Sequence, residues 1–211
     1  MKLSLKIIDN NKDIYNSLLK ALLPDIINYM DSAIIMIRRE LGGIVKKAIF
    51  SSPEYSSIVG GDLKYQLGLV DGGSKIEGLL EFWINNISYE YQRPAIKNNM
   101  IKSSFSASLI KSDFSDVLGS EYAYMTDNLR GYSLPWLEWL LLNGTAIIIN
   151  DYTVTMGYNK YSRTGGAVMT NGGSWSIPSQ FAGTIGDNWI TRSLETASSD
   201  IDNLLKKALK S

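Results

Sequence analysis

The side chains able to do acid–base or nucleophilic chemistry in this chain are few in kind. There is no His and no Cys among 211 residues, which removes the commonest general base, the commonest metal ligand and every thiolate. The closest carboxylate pairings are Asp113 with Asp116 and Asp200 with Asp202. Both sit among Ser and Asn, so they read as solvated groups rather than as an acid and base flanking a scissile bond. Ser162, Ser174 and Ser176 have no His to take their protons, and Gly172-Gly173-Ser174 lacks the strand-turn-helix pattern of a nucleophile elbow. The glycine pairs Gly165-Gly166 and Gly172-Gly173 resemble a phosphate cradle only on the surface. Neither G-x-x-x-x-G-K-[ST] nor G-x-G-x-x-G occurs between a strand and a helix. These patterns point to a chain that is not an enzyme and holds neither cofactor nor metal.

The remaining residue types suited to recognition are aromatic and basic. Trp136, Trp139, Trp175 and Trp189 have two readings, core filling or anchoring at a protein interface. For Trp136 and Trp139, inside the apolar run Leu134–Leu142, the core is favoured. For Trp175, beside Asn171-Gly172-Gly173, the two readings stand level. Stacking on a sugar is a third use of such rings, and nothing in the spacing singles it out. Lys plus Arg balances Asp plus Glu at 21 each, so the overall footprint of a dedicated nucleic-acid binder is missing, although a local basic patch remains open.

The elements that position these residues follow from periodicity. With 45% hydrophobic residues the chain can bury a core without disulfides, as one compact domain with a helical part at 1–87 and a sheet-bearing part at 88–211. Ile14, Leu18, Leu19 and Leu22 give a first helix that should stop before Pro24. A second helix, from Pro24 to about Phe50, carries Ile26, Met30, Ala33, Ile37, Leu41, Ile44 and Ala48 over roughly 40 Å. Its charges, Asp31, Arg38, Arg39, Glu40, Lys46 and Lys47, exclude a membrane span. Gly42-Gly43 allows either a bend, the favoured reading, or the close approach of another backbone. Ser52-Pro53-Glu54 starts a short helix, Asp62 caps a single turn, and Ser74 to Glu77 is a capping box. The opening MKLSLKIID reads as neither leader nor anchor, which implies cytoplasmic synthesis.

After Ile87 the period becomes two. Ser88–Arg93 and Ile101–Leu109 read as strands, and Thr145–Ile149 and Tyr152–Met156 as a hairpin turning at Asn150-Asp151. Ala167–Met169 and Trp175–Ile177 flank Asn171-Gly172, which reads as the tip of a long projecting hairpin. Asp187 then caps a terminal helix on Ile190, Leu194, Ala197, Ile201, Leu204, Leu205 and Ala208. The class is α+β: N-terminal helices including one long one, a mainly antiparallel sheet with a long hairpin, and a C-terminal helix.

The phrases SLPWLEWLLLNGT (133–145), SRTGGAVM (162–169) and WSIPSQFAGTIGDNWITRSLE (175–195) resemble a pattern in structural proteins of tailed bacteriophages, and SSPEYSSIVGGDLKYQLGLVDG (51–72) resembles the same group. A Gly-Thr beside a sheet, a long hairpin and a C-terminal helix are similar to the tail-completion, head–tail joining fold of lambdoid phages. The resemblance implies a non-enzymatic virion subunit at the neck, forming a six-fold ring with itself and meeting the adjoining connector, neck and tail proteins. Non-specific contact with threading DNA goes with such a place; a membrane does not. A head-closure or tail-terminator ring is the alternative, and a carbohydrate-binding or hydrolytic tail protein a more distant one. The residues expected to make the contacts are Arg163, Trp175, Phe181 and Trp189. On this reading, truncating Arg163 or Trp175 impairs assembly, whereas truncating Trp136 or Leu140 impairs folding.

Overall fold

A computed structural model describes residues 10–127 and 131–210. The opening MKLSLKIID, read as neither leader nor anchor, lies outside the described residues. In chain order the elements are α1 (Asn11–Phe50), α2 (Pro53–Gly60), α3 (Asp62–Gln66), α4 (Gly72–Asn85), β1 (Ser88–Lys97), β2 (Met100–Ser108), α5 (Ser115–Leu118), a 3-10 turn (Glu121–Ala123), β3 (Met125–Asp127), β4 (Tyr132–Leu134), α6 (Trp136–Leu142), β5 (Ile149–Met156), β6 (Ala167–Trp175) and α7 (Trp189–Ala208). The class is α+β, with a long N-terminal helix, antiparallel strands and a C-terminal helix. The strands do not form one sheet: β1 pairs β2, β3 pairs β4, and β5 pairs β6, each as a separate two-stranded ribbon. No helix among the described residues is long and apolar enough to cross a membrane.

The chain parts into two compact units that interleave in sequence instead of dividing near residue 87. One takes the chain up to Leu41, Ser88–Ser108 and the end from Asp202; the other takes Gly42–Ile87 and Leu109–Ile201.

In the first unit, the junction expected at Pro24 is absent, and α1 runs through it. Proline removes one hydrogen bond and crowds the preceding turn. Here the apolar stripe keeps its phase across that position, through Leu19, Ile26, Met30, Ala33, Ile37 and Leu41, of which Leu19, Ala33, Ile37 and Leu41 are buried. Packing along a continuous stripe outweighs one local defect. Strands β1 and β2 close through Asn98-Asn99, both at positive φ (52° and 58°), between the paired Lys97 and Met100. This is the two-residue turn whose twist suits a hairpin, at residues that tolerate the left-handed region. Asp31 accepts hydrogen bonds from the Tyr91 hydroxyl (2.8 Å) and the Arg93 guanidinium, and the Arg38 guanidinium lies 5.1 Å from the centre of the Tyr89 ring.

In the second unit, the core gathers α6 with residues of α2, α4 and the start of α7. Trp83, Trp136, Leu137, Leu140, Leu141 and Trp189 are all within it. The apolar run Leu134–Leu142 is therefore core, as its composition requires. Ser52 caps α2 as expected, accepting from Tyr55 N at 3.1 Å with Pro53 at the first turn. Two other starts move. Helix α4 begins at Gly72, because Lys75 N already bonds to Asp71 O at 3.0 Å, so Ser74 lies inside the first turn rather than capping it. Asp62 is itself the first residue of α3, and the nearby Leu63 N is satisfied by Ser57 Oγ at 3.1 Å. Gly42 marks a close approach rather than a break: a Cβ there would stand 2.7 Å from Ile84 Cγ2 on α4.

Candidate functional site

The β5–β6 ribbon differs from its expected form in a way that relocates the site. Asn150-Asp151 is not a turn, since both residues lie inside β5, and Thr145–Ile148 precede the strand. Asn171-Gly172-Gly173 is not a tip either, because β6 is continuous and Asn171 pairs with Tyr152. The register instead shifts there: Asn150 faces Ser174, so Asp151 on β5 stands opposite both Gly172 and Gly173. Asp151 (φ 64°), Gly172 (97°) and Gly173 (78°) all take the left-handed region. Two residues against one, with positive φ, is a β-bulge. Turn and bulge draw on the same glycine chemistry, and only the partner strand distinguishes them.

The true tip is the segment 157–166, which leaves the ladder after Met156 pairs with Ala167. It is laced by its own backbone: Gly157 N to Gly166 O (2.8 Å), Asn159 N to Gly165 O (3.2 Å) and Ser162 N to Asn159 O (3.0 Å). Asn159 Oδ1 also accepts from Tyr161 N at 2.9 Å. The tip carries two aromatic rings in the open, Tyr158 at 90% and Tyr161 at 84% exposure. Lys160 Nζ stands 5.0 Å from the Tyr161 ring centre. Exposed apolar side chains grouped in one place mark contact surfaces more often than singly scattered ones do.

The four residues expected to make contacts are not brought together. Arg163 lies in the tip segment and is exposed, with its guanidinium over Gly68, where a Cβ would come 3.1 Å from Nη2. Trp175 is at the base of β6, not on a projecting tip. It is only 7% exposed, and its ring meets Trp139 edge-on with centres 6.3 Å apart. Phe181 is half-buried against the core. Trp189 is 1% exposed and donates from Nε1 to Ser52 Oγ at 2.7 Å. Within this chain Trp175 and Trp189 are core residues, and the burial that fixes them denies a partner access. Tyr158 went unremarked in the sequence; its signal is its place between Gly157 and Gly165-Gly166.

Beneath the ribbon lies a cleft of about 840 Å³. Ile149 and Val154 of β5, Val168 of β6, Trp139 of α6 and Trp175 form its apolar walls, and Gln66, Gly68 and Arg163 border it. Two buried polar atoms of the lining residues, Gln66 Oε1 and Trp175 Nε1, have no hydrogen-bond partner among the described residues.

Three of the four carboxylates singled out by spacing make structural contacts. Asp113 Oδ1 accepts from Ser115 N at 3.1 Å, and that bond holds its carboxyl below the usual range. Asp116 Oδ2 accepts from Lys111 N at 2.9 Å, and Asp200 pairs with Lys47 Nζ at 2.9 Å. Ser162 Oγ shares a hydrogen bond with Thr164 Oγ1 at 3.3 Å. No family model, no curated protein and no solved structure matches this chain.

Proposed function

We propose that this chain is a non-enzymatic structural subunit of a tailed-phage virion, one that forms a ring at the neck through contacts made by the β5–β6 ribbon. The observation that supports it most directly is the tip with Tyr158 and Tyr161 exposed at 90% and 84%. A backbone-laced loop presenting exposed aromatics has the composition of an interface anchor. Head-to-tail contacts made by such a projection close into a ring where the rotation allows. The phage-like phrases described above give the reading its place in the virion, and the adjoining neck and tail proteins are then its further partners.

Two measurements test this. Sedimentation of the purified chain should show a closed oligomer that Tyr158→Ser with Tyr161→Ser disperses without lowering the melting temperature. Mass spectrometry of purified particles should find the chain at a fixed ratio to the major head protein. A chain absent from particles, and monomeric at its highest soluble concentration, overturns the reading.

A further inference from the structure

The cleft under the β5–β6 ribbon combines three features with no use inside the chain. Its volume of about 840 Å³ falls in the range of small-molecule sites, which are mainly apolar with a few placed polar groups. Its walls are the side chains of Ile149, Val154, Trp139 and Trp175. At its border stands Arg163, a cation with no ion pair or hydrogen bond among the described residues. Gly68, at φ 70°, supplies the room: a Cβ there would press on the guanidinium at 3.1 Å. Arg163 also borders a smaller adjoining cavity of about 260 Å³ with Asp71 and Lys75. Asp71 pairs with neither cation among the described residues, and Lys75 Nζ donates to Tyr124 O at 3.1 Å. The guanidinium fork is therefore the positive charge left uncommitted at the cleft. Independently, Trp175 lines the cleft and is more than nine-tenths buried, yet its Nε1–H has no acceptor among the described residues. Native interiors seldom leave such a donor unanswered.

From these we infer that the cleft is a binding site for an amphipathic monocarboxylate, whose apolar body lies between the ribbon and the Trp139–Trp175 pair and whose carboxylate is held by Arg163. The planar guanidinium suits a carboxylate in a two-point hydrogen-bonded pair. An oxygen acceptor on the entering molecule is the kind of group that the Trp175 N–H lacks among the described residues. The chemistry is that of a free fatty or aromatic acid; an acidic, apolar peptide segment would present the same groups. The site does not depend on the virion reading and stands or falls separately.

The test titrates the full-length protein with decanoate, with decanamide, which has the same chain without the charge, and with N-acetyl-Leu-Leu-Glu amide. Calorimetry and tryptophan fluorescence are read on the wild type and Arg163→Gln. Decanoate should bind saturably with Kd below about 1 mM, and decanamide at least about tenfold more weakly, the value of one charge-assisted pair. Arg163→Gln should bring decanoate down to the decanamide level and leave decanamide unchanged. Because Arg163 is exposed, an unchanged melting temperature separates lost binding from lost fold. No saturation by decanoate, or equal affinity in the wild type and Arg163→Gln, overturns the site. Binding of the peptide without decanoate overturns the assignment to a free acid and gives the cleft to a protein segment.

Discussion

The indole Nε1 of Trp189 donates to Oγ of Ser52 at 2.7 Å across 137 positions of sequence. That same hydroxyl accepts from Tyr55 N at 3.1 Å and donates to Ile49 O at 2.7 Å. One buried oxygen thus joins the end of α1, the cap of α2 and the first residue of α7, with its hydrogen and both lone pairs in use. Ser52→Ala removes the cap, worth about 1 kcal/mol, and strands the Trp189 N–H in the core at a cost of about 1 to 3 kcal/mol. Denaturant unfolding should therefore show a loss of roughly 2 to 4 kcal/mol, with Ser52→Ala/Trp189→Phe losing less than the sum of the two single changes. An additive double variant would mean that the two groups do not meet.

Two residues along from Ser52, Glu54 is buried, and one oxygen receives Arg192 Nη2 at 2.7 Å and Nε at 3.3 Å. Arg192 Nη1 reaches the exposed Asp187 at 2.8 Å. Burial opposes the charge on Arg192, but the bonds to Glu54 and Asp187 outweigh it and leave its pKa raised. Removing one partner of a buried pair leaves an uncompensated charge, at about 3 to 5 kcal/mol, whereas an exposed partner contributes well under 1 kcal/mol. Arg192→Met should thus destabilise by about 3 kcal/mol and Asp187→Asn by a few tenths. Equal effects from the two variants would contradict the burial of Glu54.

Trp175 and Trp136 make a sharper comparison. Both are buried, but Trp136 Nε1 donates to Tyr122 O at 2.9 Å, whereas Trp175 Nε1 has no partner among the described residues. Replacement by Ala should cost on the order of 3 to 5 kcal/mol at either site. Replacement by Phe should separate them. Trp136→Phe loses a hydrogen bond and leaves the part-buried Tyr122 carbonyl without that donor; Trp175→Phe discards a donor with no partner among the described residues. The first should be less stable than the second by about 1 to 2 kcal/mol in thermal or urea unfolding. If Trp175→Phe proves the costlier, its N–H has found an acceptor in solution.

The sequence could be read where local chemistry is decisive, and it misled where partners decide. Ser52-Pro53 has one good use, a helix start, and Leu134–Leu142 is too apolar to sit anywhere but the core. Asn171-Gly172-Gly173 demands positive φ, yet a turn and a bulge both supply it, and the choice lies with Asp151 on the other strand. Pro24 stops an isolated helix, but a stripe that stays in phase from Leu19 to Leu41 carries α1 across it. At α7 the cap is Asn188, whose Oδ1 accepts from Ile190 N and Thr191 N at 3.0 and 3.1 Å; the neighbouring Asp187 was an equally good cap by type. The cleft was illegible for a different reason. Gln66, Trp139, Val154, Arg163 and Trp175 come from five separate segments, and no spacing rule connects them.

Acid should weaken the unit that holds β1 and β2. Asp31 is held below the ordinary carboxylate range by hydrogen bonds from Arg93 and then from Tyr91, against a smaller opposing effect of desolvation. Glu40 is held low in the same unit by Lys207 and then Arg39. A carboxyl with a depressed folded pKa binds its proton more tightly in the unfolded chain, so its contribution is complete above the unfolded value of roughly 4 and disappears as pH falls through the lower folded value. Stability should therefore hold level from pH 7 to about 4.5 and decline below that. Asp31→Asn with Glu40→Gln should flatten the decline, so that the gap between wild type and variant narrows with acid. Carbon-detected titration of Asp31 should give a midpoint below the usual value, and high salt should raise it because the groups lie near the surface. An Asp31 midpoint at or above the ordinary carboxylate value, or an acid limb identical in the variant, would show that these bonds do not persist in solution.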